Sequence, residues 1–216
     1  HALPYRYRHK KMSKRLIAVI GGSFNPVHNG YIAIGEAVER ALSPDKILFI
    51  PSYIHADKGK AQGASPEDRF FMLQLALEGR SGWEVSDIEY KREETSYTVH
   101  TMEKLTKMYE NTEFHFVCGA DIMYTIHTWR EPYRLFQLCK FAVVQRPGYT
   151  TEEFLEQVDR VRKEYDGHIK VIECDQLDIS SSDIRQRLSR GADVAGMLPE
   201  RVLEYIKEKG LYKASV

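Results

Sequence analysis

The chain has 216 residues, is 43% hydrophobic and 29% charged, and balances 31 Lys/Arg against 31 Asp/Glu. A zero formal charge lacks the basic footprint of a non-specific nucleic-acid binder, and no apolar run reaches the ~20 residues of a membrane span. Cys118, Cys139 and Cys174 lie far apart with neither C-x-x-C nor disulfide spacing, which predicts a reducing, cytoplasmic compartment.

The first fifteen residues carry six Lys/Arg and no acid. Residues 1–12 are expected to be a mobile tail or a leader ahead of Met12, with residues 13–216 as a single domain. Residues 15–20 read as a buried strand. Ile34, Ala37, Val38, Ala41 and Leu42 then follow at helical spacing up to Ser43-Pro44. KILFIP (46–51) is a second strand and 52–65 a loop. A helix follows, with Ser65 as N-cap, Pro66 at its first position and Gly79 as its stop. WEVSDIEY (83–90) reads as a short strand, 96–109 as a helix, and EFHFVCGAD (113–121) as a strand entering a turn. KFAVVQRPG (140–148) is a strand, 151–165 an amphipathic helix, and IKVIEC (169–174) a strand. ISSSDIRQRLSRG (179–191) and LPERVLEYIKEKG (198–210) are the closing helices.

Strands alternating with helices predict an α/β fold: an open, mostly parallel, Rossmann-like doubly wound sheet with a C-terminal helical segment. Ligands in such sheets bind beyond the carboxyl ends of the strands. Four segments lie there: GGSFNPVHNGY (21–31), PSYIHADK (51–58), CGAD (118–121) and, across a short loop, DISSSDIR (178–185). The first is neither the dinucleotide fingerprint G-x-G-x-x-G nor a P-loop. It still offers the N–H groups of Gly22 and Ser23, a helix start near Asn29-Gly30, and His28 as a side-chain donor, a set that suits phosphate. Ser180, Ser181 and Ser182 present hydroxyls and amides at a second helix start, with Arg185 in its first turns. Two such starts in one chain point to a polyphosphate site. Asp121 either accepts from a ribose hydroxyl or caps the next helix. Trp129 either stacks on a flat heteroaromatic ring or is a half-buried core residue.

Together, GGSFNPVHNG (21–30), SYTVHT (96–101), CGADIMYTIHTW (118–129), VVQRPGY (143–149), ISSSDIR (179–185) and LPERVLEYIKEKGLY (198–212) resemble the bacterial nicotinate mononucleotide adenylyltransferase family of the nucleotidyltransferase superfamily. The resemblance covers nearly all of residues 15–212. It implies transfer of the adenylyl group of ATP to nicotinate mononucleotide, giving nicotinate adenine dinucleotide and pyrophosphate, in NAD biosynthesis. The cofactor implied is Mg²⁺, held mainly by substrate phosphates with no protein metal site. By the same resemblance, Gly21, Gly22, Ser23, Phe24 and His28 meet adenosine and phosphates, and Gly119 and Asp121 hold adenosine. Ser180, Ser181 and Arg185 hold the leaving polyphosphate. Lys58, Ser96, Thr98 and Trp129 face the mononucleotide. His28, Tyr31 and Arg185 carry the catalysis. The partners are the two nucleotides, not nucleic acid or membrane, and a homo-oligomer is compatible with the reading.

The sequence departs from the family pattern at named positions. His-x-Gly-His becomes His28-Asn29-Gly30-Tyr31, and Pro-Pro-His-Lys becomes His55-Ala56-Asp57-Lys58. His100 stands for an aspartate after SYT, and Asn25 for the aspartate before Pro26. Tyr31 matters most, because a neutral phenol cannot follow phosphate charge as an imidazolium can. Two alternatives follow: a related transferase with another acceptor (nicotinamide mononucleotide or phosphopantetheine), or a non-catalytic nucleotide-binding homologue.

Overall fold

The structure is a computed structural model and describes residues 13–53, 63–91, 96–175 and 177–214. The leader expected at 1–12 lies outside the described residues, as does Lys58 with most of the loop around it.

The elements run in chain order as β1 (Arg15–Gly22), α1 (Asn29–Leu42), β2 (Lys46–Pro51), α2 (Pro66–Leu77), β3 (Trp83–Val85), α3 (Thr98–Met108), β4 (Thr112–Gly119), α4 (Ile122–Thr125), α5 (Pro132–Leu138), β5 (Lys140–Gln145), α6 (Glu152–Tyr165), β6 (Ile169–Glu173), α7 (Ser181–Ser189) and α8 (Glu200–Lys209). A single 3₁₀ turn (Ile126–Thr128) follows α4. The six strands pair in parallel throughout, in the order β3-β2-β1-β4-β5-β6. The central strands are unbroken apolar runs, Ile17–Ile20 in β1 and Ile47–Ile50 in β2, because both faces are covered.

Side-chain alternation divides those runs between two cores. Ala18, Ile20, Phe49, Ala142 and Val144 face α1, α2, α7 and α8, through residues such as Val38, Met72, Ile184 and Val202. Ile17, Val19, Leu48, Phe141 and Val143 face α3 to α6, through Met102, Leu105, Leu135 and Val158. The winding direction reverses between β1 and β4, which lie side by side at the middle of the sheet. A crevice therefore opens above their carboxyl ends. The residues there are Gly21-Gly22 and Gly119, the ends of two predicted strands.

Two differences from the sequence reading have local causes. The strand expected over 83–90 stops at Val85, because the Ser86 hydroxyl accepts from the Ile88 N–H and Tyr90 N–H turns back to Asp87. The segment after Trp129 forms α5, whose seven residues are too few to display a period. Pro132 at its first position was the one signal present.

Gly35 marks where α1 closes on β3. A Cβ there would lie 2.5 Å from the buried Trp83 ring. Gly35→Ala is expected to overpack this contact at a cost of about 1–3 kcal/mol, lowering Tm by roughly 2–12 °C in a thermal melt.

Candidate active site

The first half of the site is the turn between β1 and α1. Gly22 lies under the Tyr31 side chain: a Cβ on it would be 2.9 Å from the phenol oxygen. Phe24 is left-handed, with φ at 47°, a conformation that costs a non-glycine residue about 1–2 kcal/mol. Its ring over-determines that conformation by packing, fully buried, against Tyr31 (4.5 Å between centroids) and Phe49 (6.1 Å). Only the main chain of Phe24 is left for a ligand. The Asn25–Pro26 peptide is cis.

His28 is the N-cap of α1. Its Nδ1 accepts from the Gly30 N–H at 3.0 Å. That nitrogen is therefore unprotonated, and Nε2–H is the donor that remains. The side chain is 7% exposed, and burial holds its pKa down at about 4. Tyr31, one turn into α1, packs its ring 4.5 Å from the imidazole, and burial pushes its pKa up. Both motif side chains are thus neutral hydrogen-bond donors at neutral pH.

Neutral His28 has a consequence for stability. An unfolded histidine titrates near 6.5, so the stabilisation is complete above that value and is lost as pH falls towards 4. It amounts to about 3 kcal/mol for a shift of this size. Denaturant melts at pH 7 and pH 4.5 are expected to show the loss. His28→Asn, which keeps an N-cap acceptor, is expected to remove most of it. His115, also buried and lowered, contributes in the same direction.

The second half of the site is the start of α7, which is tied to the first turn by side chains. Arg185 Nη1 donates to the Asn25 carbonyl (2.8 Å), and the Ser181 hydroxyl donates to the Pro26 carbonyl (2.8 Å). The Ser180 hydroxyl caps α7 by accepting from the Asp183 N–H, which leaves its own proton to donate elsewhere. The first N–H groups of α7 have no helical acceptor and stand ready for an anion. From the other side, Asn25 Oδ1 accepts from the Ala64 N–H (3.1 Å) and from the Tyr212 hydroxyl (2.6 Å).

Two adjoining clefts result. One, of about 420 Å³, is lined by Ser23, His28, Tyr31, Ser180, Ser181, Ser182 and Arg185, among others. The second, of about 480 Å³, lies over Gly21, Gly119, Asp121 and Arg146. Tyr31, Ile34 and Leu177 line both. The first combines two helix starts with a guanidinium, which suits phosphates. The second combines backbone glycines, the Asp121 carboxylate and the Arg146 side chain without a helix start, which suits a nucleoside. Asp121 makes no side-chain cap to α4; its Oδ1 folds back to within 2.8 Å of where a Cβ on Gly119 would lie.

The profile of the Cytidylyltransferase-like family matches residues 19–187. A protein of Desulfitobacterium hafniense (strain DSM 10664 / DCB-2), named "Probable nicotinate-nucleotide adenylyltransferase", is 37% identical over 197 residues, or 91% of this chain and 95% of that one. A protein of Clostridium tetani (strain Massachusetts / E88) with the same name is 34% identical over 196 residues, or 91% of this chain and 98% of its own. The chain belongs to the nicotinate-nucleotide adenylyltransferase family. Among solved structures, the Plasmodium falciparum nicotinic acid mononucleotide adenylyltransferase complexed with NaAD has the same fold. It aligns with a TM-score of 0.74 at 20% identity, over 92% of this chain and 97% of that one.

In this adenylyltransferase-family chain, Ser96, Thr98 and Trp129, expected to face the mononucleotide, line neither cleft. Ser96 and Thr98 sit at the start of α3, and the Ser96 hydroxyl is buried with no hydrogen-bond partner among the described residues. Trp129 is half-buried and meets Phe116 edge-on at 5.9 Å. The two segments are neighbours: Arg130 lies over the Tyr97 ring at 4.8 Å, and His100 Nε2 is 3.9 Å from Glu131. Arg146 and Arg69 were not singled out in the sequence. Arg146 belongs to a quoted segment just beyond a strand, so position alone was a signal. Arg69, at the fourth position of α2, had none.

Proposed function

We propose that this chain joins ATP to nicotinate mononucleotide. An oxygen of the mononucleotide phosphate attacks the α-phosphorus of ATP, the bond from that phosphorus to the bridging oxygen of the β-phosphate breaks, and pyrophosphate leaves. The products are nicotinate adenine dinucleotide and pyrophosphate, with no covalent enzyme intermediate. The observation that carries this reading is the convergence of the α1 and α7 starts and Arg185 on one cleft, adjoining a nucleoside-sized cleft at the switch point of the sheet. Relatives named for this reaction over nine-tenths of the chain support it.

In this reading the protein positions and neutralises charge. The Ser180 hydroxyl, the α7 amides and Arg185 hold the departing polyphosphate. The Ser23 amide and the Nε2–H of His28 hold phosphate oxygens, and Tyr31 offers its O–H, while Gly22 pairs with β2 and gives the turn its close approach to Tyr31. Gly21, Gly119 and Asp121 hold adenosine, the carboxylate accepting from ribose. Ser96, Thr98, Trp129 and Lys58 serve the acceptor. Among the described residues no group of three or more His, Cys, Asp or Glu could hold a metal. In this reading Mg²⁺ binds through substrate phosphates and retained waters. Bound there, it would offset the charge of the polyphosphate. Three buried free thiols fit a cytoplasmic location.

The test is pyrophosphate release with ATP, Mg²⁺ and either nicotinate or nicotinamide mononucleotide. Turnover is expected with a preference for nicotinate. Preference for the amide would move the chain to another acceptor, and no turnover with either would overturn the reading.

A further inference from the structure

Arg69 is the largest fully buried side chain among the described residues, 2% exposed, in the first turns of α2. No carboxylate among the described residues stands within 4 Å of its guanidinium as an ion-pair partner. It also sits near the positive end of its helix, where a cation is disfavoured. A buried guanidinium without a paired acid is costly to keep. Its partners show what it does there. One nitrogen, Nη1, donates to two main-chain carbonyls, those of Ser23 (2.7 Å) and Ser52 (2.8 Å). The guanidinium carbon lies 5.9 Å from the Tyr90 ring centroid, and that ring meets Tyr53 edge-on at 5.7 Å.

The two carbonyls belong to different sides of the site. Ser23 lines the phosphate cleft. Ser52 is the first residue after β2, six positions before Lys58 in the sequence. A backbone bond, Ser52 N–H to the Gly22 carbonyl at 2.8 Å, already joins the strands here. The shared Nη1 of Arg69 adds a second link, between the carbonyls of Ser23 and Ser52.

We propose that Arg69 is a positioning residue that couples the Ser23 turn, on the ATP side, to Ser52 at the end of β2, where the chain continues towards Lys58. The inference rests on the adenylyl-transfer reading above. It predicts that each nucleotide tightens the binding of the other through this clamp, and that loss of the clamp spoils alignment more than affinity. Misalignment of reacting groups costs between about ten- and a hundredfold in rate.

The experiment compares the full chain with Arg69→Met and Arg69→Lys. Calorimetry measures binding of a non-hydrolysable ATP analogue with and without nicotinate mononucleotide, and steady-state assays give kcat and KM for both substrates. In Arg69→Met, kcat is expected to fall about ten- to a hundredfold with each KM changed less than about threefold, and the mutual tightening to disappear. Arg69→Lys, which keeps the charge and one donor, is expected to recover part of both. A variant with lowered Tm, unchanged kcat and intact tightening would overturn the proposal, as would a parent chain with no tightening. If Arg69→Met does not fold, Arg69→Lys is read alone: parental kcat and parental tightening would overturn the proposal, and a partial loss of both supports it. A parent chain that binds both nucleotides with mutual tightening but never turns over would sink the catalytic reading and leave the coupling standing.

Discussion

Arg185→Ala is expected to lower kcat/KM for ATP by about a hundred- to a thousandfold, the loss usually seen when one preorganised donor to developing charge is removed. The size follows from what surrounds it. Among the described residues lining the phosphate cleft, Arg185 alone carries a charge, since His28 is held neutral and Tyr31 does not ionise at working pH. The guanidinium is aimed by one bond, Nη1 to the Asn25 carbonyl, which leaves its other N–H groups for the ligand. Arg185→Lys keeps the charge without the planar fork and is expected to recover only part of the loss. Pyrophosphate release measures the effect, and a thermal melt checks that the fold survives. A loss below about tenfold would mean that the α7 amides and Mg²⁺ carry the leaving group without it.

Tyr31→His is expected to raise kcat by about ten- to a hundredfold at low pH, with a limb that descends as the new imidazole loses its proton. The unmodified chain is expected to show no such limb from its two motif side chains. His28 has lost its proton well below pH 6, and burial keeps the Tyr31 phenol protonated above its usual range near 10. The smaller ring also withdraws the phenol oxygen from over Gly22. Tyr31→Phe separates the contributions: it keeps the ring packing against Phe24 and His28 and removes only the O–H. A flat profile in Tyr31→His with unchanged kcat would show that no titrating group is needed at this position.

The fold was legible because the strands are apolar runs of the right length, punctuated by Gly21-Gly22, Pro51 and Gly119 where they reach the crevice. The phosphate half of the site was legible for the same reason: His28 and Ser180 are caps, and caps announce themselves by residue type and place. Ser65 at the start of α2 shows the same signal without a ligand. What stayed hidden depends on tertiary contact. Nothing in the sequence says that the imidazole of His28 spends Nδ1 on Gly30, that Ser181 reaches Pro26 across 155 positions, or that the arginine of PEDRFF turns inward. The acceptor half was harder still. The segments of Ser96 and Trp129 meet through Arg130 over Tyr97 and His100 beside Glu131, contacts no spacing announces, and α5 was itself too short to read.

The bond from the Tyr212 hydroxyl to Asn25 gives the segment after α8 a reach out of proportion to its size. Across 187 positions, it ends one peptide away from Pro26, on the same turn that Arg185 and Ser181 hold. Anyone engineering this protein should therefore treat residues 210–212 as part of the active-site frame. A change that displaces Tyr212 loosens the Asn25 turn, whereas one made after α6, on the other face of the sheet, leaves that bond in place.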